Sequence, residues 1–142
     1  MAPDYPETST ISSTVKPRLP ESHIERQIQD YLRLDSWIVR HLECTPHGYK
    51  ESWVGEKGMP DLLCLRYRPQ PGWANCLWVE VKARDGRLSP TQRAWRMREE
   101  ACGALVITLG VDCEATIEDF ARWYEGSGLQ VRYVAIGGQK TA

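Results

Sequence analysis

No stretch of these 142 residues approaches the ~20 consecutive apolar residues that a membrane-spanning helix needs, and the first twenty residues lack the apolar core of a secretory signal. The expectation is a cytoplasmic or nucleoid protein with no membrane partner. Paired cysteine spacing is missing as well. The five cysteines, at 44, 64, 76, 102 and 113, are odd in number and contain no C-x-x-C, which argues against a disulfide framework and a zinc cluster. They read as reduced thiols, with Cys64, Cys76 and Cys102 as small buried hydrophobes among apolar neighbours. His23, His41 and His47 have no metal-ligand spacing and read as ordinary polar residues. An excess of one charge is also absent. The formal net charge is -1, so the whole chain does not advertise nucleic-acid binding as a strongly basic domain does. No internal repeat is visible.

What is present is a globular composition, 42% hydrophobic and 26% charged, on a length that fits a single domain. Residues 1–20 carry Pro3, Pro6, Pro17 and Pro20 among Ser and Thr and read as a tail, leaving 21–142 as the folded unit. Ser22-His23-Ile24-Glu25 has the form of a capping box opening a helix whose apolar stripe is Ile24, Ile28, Tyr31 and Leu32 and whose end falls near Asp35. Trp37–Glu43 reads as a strand and Thr45–Gly58 as a long loop. Leu62–Tyr67 and Cys76–Ala83 read as a hairpin across the Arg68–Asn75 turn. Ser89-Pro90-Thr91-Gln92 is a helix start with N-cap, first-turn proline and capping-box glutamine, and Gly103 is its terminator. The run Ala104–Leu109 reads as a central strand buried on both faces, followed by a helix over Thr116–Tyr124 closed near Gly126 and a last strand over Leu129–Ala135. The strand-helix-strand passage from 77 to 109 implies a parallel crossover. The fold class is therefore α/β, a mixed central sheet flanked by helices in a single domain. Trp95 and Met97 read as core, while Trp123 and Tyr124 fit either core or a dimer contact.

Two features carry chemistry. Asp61 ends the turn Gly58-Met59-Pro60-Asp61, and Glu80 and Lys82 share one face of the apolar strand Leu77-Trp78-Val79-Glu80-Val81-Lys82. Charges on a core strand lose hydration and need an opposite charge, hydrogen bonds or a metal ion. Asp61 and Glu80, with the carbonyl of Val81 between Glu80 and Lys82, supply the hard oxygens that Mg²⁺ takes while leaving room for water and a phosphate. Lys82 is placed to hold or deprotonate an attacking water and to offset charge developing on the phosphate. The segment from Lys82 to Arg98 holds Lys82, Arg84, Arg87, Arg93, Arg96 and Arg98 against Asp85 alone, a stripe suited to phosphates or, on the plainer reading, a solvated helix face ending in Glu99 and Glu100. Lys50 and Lys57, with Tyr49 and Trp53, add basic and aromatic groups on the loop before Gly58.

Pro60-Asp61 and Glu80-Val81-Lys82 resemble the defining elements of the PD-(D/E)xK restriction-endonuclease-like nuclease superfamily. The closer resemblance is to the virus-type replication-repair nuclease (VRR-Nuc) family, which carries a glutamate on its first helix, a G-x-P-D turn, an E-x-K strand and a glutamine opening the next helix. Here these are Glu25, Gly58 to Asp61, Glu80 to Lys82, and Gln92, in that order, over about Ser22 to Ile107. The resemblance implies a restriction-endonuclease-like fold and a Mg²⁺- or Mn²⁺-dependent nuclease. In it Asp61 and Glu80 bind metal, Lys82 is catalytic, and Glu25 and Gln92 support the site, Glu25 as a further metal ligand. Glu25 and Gln92 each keep the alternative of a purely capping role with Ser22 and Ser89. The family occurs as small single-domain proteins in phages and bacteria and as the catalytic domain of the Fanconi-associated nuclease. Small stand-alone members are associated with cutting four-way junctions as dimers, which points to branched DNA and a homodimer. The alternatives are a nuclease-like fold that binds nucleic acid without cutting it, and a restriction-type enzyme reading a short sequence.

Overall fold

Ile24, Ile28, Tyr31 and Leu32 recur at helical spacing, so a helix through them gathers one apolar face. The computed structural model, which describes residues 19–42, 56–83 and 86–131, forms that helix as α1 (Glu21–Leu34) with all four side chains buried. Its start differs from the expected one. The Pro20 carbonyl accepts from the N–H groups of His23 and Ile24 at 3.0 and 3.2 Å, and Pro20 itself is the N-cap. Opening the helix there puts Ser22 inside the first turn, so no side chain caps it. The Ser22–Glu25 box is not made, and the Glu25 carboxylate is released for other contacts.

Four strands follow the expected types, β2 (Leu62–Tyr67) with its expected bounds and β1 (Ile38–His41), β3 (Ala74–Val81) and β4 (Val106–Leu109) with shifted ends. They lie in the order β1-β2-β3-β4, with β1·β2 and β2·β3 antiparallel and β3·β4 parallel. The crossover is α2 (Pro90–Ala101), and α3 (Ile117–Gly126) follows β4. All four β4 residues are buried, as expected of a strand covered on both faces, although among the described residues it forms the outer strand of the sheet. Leu129–Val131 form no strand, and the rest of the expected last strand, like all but the last two residues of the expected tail over 1–20 and most of the loop before Gly58, lies outside the described residues.

Strand alternation separates two faces. Cys64, Leu77, Val79, Val81, Ile107 and Leu109 join the core with α1 and α3, where Phe120 and Tyr124 are fully buried. Trp78, Glu80 and Thr108 turn to the opposite face, where the Trp78 and Trp95 rings meet edge to face at 4.9 Å. A mixed sheet between helical layers results, and Glu80 belongs to the α2 side. Tyr124 is core rather than a dimer contact. Met97 is not core: it is 68% exposed, because the helical spacing that turns Trp95 inward turns Met97 outward. Cys64 is buried as expected and its thiol is pushed up to about 12 by burial, but Cys76, toward the hairpin tip, and Cys102, at the C-cap of α2, are exposed.

One buried polar group has no counterpart in the sequence reading. Asp35 is 0% exposed at the C-cap of α1, where it accepts from Arg66 Nη1 at 3.0 Å, from the Val131 N–H at 3.1 Å and from the Tyr124 hydroxyl. Arg66 also donates to the Leu129 carbonyl and lies 4.5 Å over the Trp37 ring, whose Nε1 donates to the Tyr124 hydroxyl at 2.8 Å. Burial and the neighbouring Asp35 push the Tyr124 hydroxyl well above its ordinary pKa. This network ties α1 to β2, α3 and the chain beyond α3. Asp35→Ala leaves the Arg66 guanidinium without its buried partner and is expected to cost about 3–5 kcal/mol, whereas Tyr124→Phe costs about 1 kcal/mol, in urea unfolding followed by tryptophan fluorescence.

Candidate active site

The site is built where the roots of β2 and β3 meet the first turn of α2. Leu62 pairs with Val79, so the antiparallel register sets the preceding Asp61 opposite Glu80, and the Asp61 N–H donates to Glu80 Oε2 at 3.1 Å. Glu80 is 4% exposed. Its other oxygen accepts from Gln92 Nε2 at 3.0 Å and faces Lys82 Nζ at 3.2 Å. β3 lies between β2 and β4, so Glu80 and Lys82 are not an exposed edge-strand pair.

Each approach has a local cause. Gly58 has φ +88°, and a Cβ there would stand 2.4 Å from the Thr91 carbonyl oxygen, so only glycine lets this turn close onto the start of α2. Ser89 caps α2 as expected: its hydroxyl accepts from the Gln92 N–H at 3.2 Å, and Gln92 Oε1 accepts from the Ser89 N–H at 3.0 Å. The capping and site roles of Gln92 are therefore not alternatives. The oxygen of its amide closes the box while its nitrogen holds Glu80.

Glu25 comes from the α1 layer. It is 9% exposed, hydrogen-bonds to Asp61 and lies 3.3 Å from His41 Nε2 at the end of β1. Desolvation raises the Glu25 pKa to about 8, with further contributions from the hydrogen bond and charge of Asp61 and the charge of Glu80. Glu80 is raised too, first by burial and then by Asp61, against the lowering effect of Lys82. Carboxylates that crowd one another and hold their protons above the usual range form a set complementary to a cation. Among the described residues, no three His, Cys, Asp or Glu side chains group as a ready-made metal cluster. Asp61 and Glu80 nevertheless supply the hard oxygen donors that a small divalent ion takes, with waters completing its shell. The donor set thus fits Mg²⁺ or Mn²⁺ at Asp61 and Glu80.

Glu25, Asp61, Glu80, Lys82 and Gln92 are thereby brought together. Val81 buries its side chain in the core and pairs with Leu109 through the backbone. Lys57, Arg87 and Arg93 are exposed around the start of α2, Lys57 beside Gly58, Arg87 two residues ahead of Ser89, and Arg93 in the first turn. Lys50 and Arg84 lie outside the described residues. Arg96 departs from the expected phosphate stripe. Its guanidinium makes a bidentate pair with Asp112 at 2.7 and 3.1 Å, donates to Thr108 Oγ1 at 3.0 Å and meets Glu100. Thr108 is the β4 partner of Glu80, so Arg96 fastens α2 to the sheet one turn beyond Gln92. A helical basic spacing does not reveal which arginine faces the sheet. His41 was also missed, since its partner lies sixteen residues back in the chain and meets it only in the folded state.

A family model described as "VRR-NUC domain" matches residues 15–112, a span that includes every one of these side chains. A solved structure titled "VRR_NUC domain" superposes with a TM-score of 0.56 at 22% identity, covering 75% of this chain and 96% of that one. That likeness shows the fold. No curated protein matches.

The Glu25 proton makes a signed prediction. The folded chain holds it up to about pH 8 while the unfolded chain loses it near 4.5, so between these values the folded state binds the extra proton and stability falls as pH rises. In EDTA, Glu25→Gln is expected to melt roughly 3–6 °C above the parent near pH ~8.5 and level with it near pH ~4.5, read by differential scanning fluorimetry.

Proposed function

The chain belongs to the VRR-NUC domain family, nucleases of the PD-(D/E)xK type, and on that premise we propose that it is a divalent-metal-dependent DNA endonuclease acting on branched DNA, four-way junctions among them. The observation that carries the reading is Glu80: a nearly buried carboxylate gripped by Gln92, Lys82 and the Asp61 N–H, with the Asp61 carboxylate as its neighbour. Two carboxylates and an ammonium in one desolvated corner each have to be compensated, a cost that hydrolytic work accounts for.

In the reaction proposed, Asp61 and Glu80, with the Val81 carbonyl, would hold Mg²⁺ or Mn²⁺, and Glu25 would support the site through Asp61. The ion's chemistry is to polarise the scissile phosphate and favour ionisation of the attacking water. Lys82 Nζ, an ammonium fixed beside Glu80, orients that water and offsets the charge growing on the phosphate as the new P–O bond forms and the bond to the leaving sugar oxygen breaks, the water's proton passing to solvent and the leaving oxygen taking one from solvent. The Gln92 amide keeps Glu80 in the rotamer that faces Asp61 and Lys82. Lys57, Arg87 and Arg93 surround the α2 start and give the phosphates of the substrate a positive collar, and Lys50 and Arg84 are further basic candidates from the sequence alone. A homodimer accounts for paired cuts in a symmetric junction.

The test is cleavage of labelled four-way junction, flap, single-stranded and linear duplex DNA with Mg²⁺, Mn²⁺ or EDTA. We expect metal-dependent symmetric nicks in the junction. Asp61→Ala or Glu80→Ala should reduce the rate by at least about a thousandfold with an unchanged circular dichroism spectrum, and Lys82→Ala should lower kcat more than it raises KM. Cleavage retained in the Asp61→Ala/Glu80→Ala protein would falsify the site. Junction binding without cleavage by the parent in either metal would mark a non-cutting binder.

A further inference from the structure

The hairpin that holds Asp61 and Glu80 at its root presents a different chemistry at its tip. Tyr67 is 67% exposed and Trp73 68%, although large aromatic side chains are normally drawn out of water. Arg68, Gln70, Trp73, Ala74 and Asn75 line an open recess of about 630 Å³. The tip is braced. Arg68 N–H donates to the Trp73 carbonyl at 2.9 Å, Trp73 N–H donates to the Gln70 carbonyl at 3.2 Å, and Arg68 Nη2 donates to Asn75 Oδ1 at 3.2 Å. Pro69 and Pro71 restrict the turn further. The backbone that carries the indole is therefore shaped before binding.

Charge selects the occupant. Between Asp61 and Glu80 there is no acidic residue, while Arg66 and Arg68 both occur, so the tip opposes no polyanion. Arg66 is committed to Asp35, which leaves Arg68 as the tip's cation. One arginine is a weak hold on a duplex, whose affinity comes from many phosphates and whose bases are stacked away. One arginine beside an exposed indole suits an unpaired nucleotide, with its base on the ring and its phosphate at the guanidinium. Two aromatic side chains bury at most about 500 Å² together, well below the ~800 Å² per partner of a stable protein interface.

We propose that the β2–β3 hairpin tip is a second nucleic-acid contact, in which Trp73 and Arg68 take an unpaired nucleotide of the substrate at a fixed distance from the cutting site. The inference rests on the nuclease reading above. Six residues of strand at ~3.3 Å each separate Asp61 from Tyr67, about 20 Å, or roughly six stacked nucleotides. The hairpin then acts as a ruler, favouring substrates with unpaired bases about that far from the scissile phosphate.

The experiment measures binding of the full chain in EDTA to fluorescent junctions that are fully paired or carry a six-nucleotide gap in one arm, and cleavage of the same DNAs in Mg²⁺. Trp73→Ala is expected to weaken the gapped junction about tenfold and leave the paired one within about twofold. Trp73→Phe should restore most of the loss. Equal affinity of parent and Trp73→Ala for the gapped DNA, or an equal loss on both DNAs, overturns the proposal. So does a sedimentation experiment in which Trp73→Ala turns a dimer into a monomer, since the tip is then a subunit contact. If the parent cuts neither DNA while the selective loss of binding remains, the hairpin contact stands and the cleavage reading falls. If the parent cuts and Trp73→Ala binds normally, only the hairpin contact falls.

Discussion

A carboxylate carried into a folded interior must be compensated or neutralised, and Glu80 sits under that constraint on an inner strand of the sheet. Three partners from three segments meet it: the Asp61 N–H from the β2 root, Lys82 from its own strand and Gln92 from α2. These partners do not fully offset its burial, because the Glu80 pKa remains raised, with burial the largest cause and Asp61 the next. On the reading proposed above, a divalent cation held there would relieve the crowding of Asp61 and Glu80, so that stability and chemistry would ask for the same ion.

Much of the surrounding structure serves that placement. Gly58 and Gly110 allow backbone approaches that any side chain would block: a Cβ on Gly110 would stand 2.1 Å from the Lys82 carbonyl oxygen. The Ser89 box starts α2 at the height that sends the Gln92 nitrogen to Glu80, and Arg96 fastens the next turn to Asp112 and Thr108. On the other face, Asp35, Arg66 and Tyr124 lock α1, β2 and α3, so Glu25 approaches from a fixed helix. Both faces of the sheet therefore act on one pocket, through polar clamps and an apolar core.

The parts legible in the sequence are those whose causes are local. β2 keeps its expected bounds because Leu62–Tyr67 is framed by a G-x-P-D turn and a proline-rich turn, and the start of α2 follows from Ser89, Pro90 and Gln92 alone. The pairing of Glu80 with Lys82 on one face follows from strand period. What escaped depends on chain segments far apart. The Ser22–Glu25 box fits the usual pattern yet is not made, since the Pro20 carbonyl opens the helix two residues sooner. Met97, Arg96 and Cys76 have sensible local readings, but which side Met97 and Arg96 face is decided by how α2 rolls on the sheet, and Cys76 is exposed because it lies toward the tip of the β2–β3 hairpin. Asp35 finds its partners 31 and 89 residues away, beyond any local signal.

The central claim is that Asp61 and Glu80 form a cation site before any DNA arrives. Electron paramagnetic resonance of free Mn²⁺, titrated with the protein in the absence of nucleic acid, measures this directly. The account predicts saturable binding that competes with Mg²⁺ and is lost in the folded Asp61→Asn/Glu80→Gln protein. Binding that persists in that variant, or no binding by the parent at millimolar Mn²⁺, contradicts it.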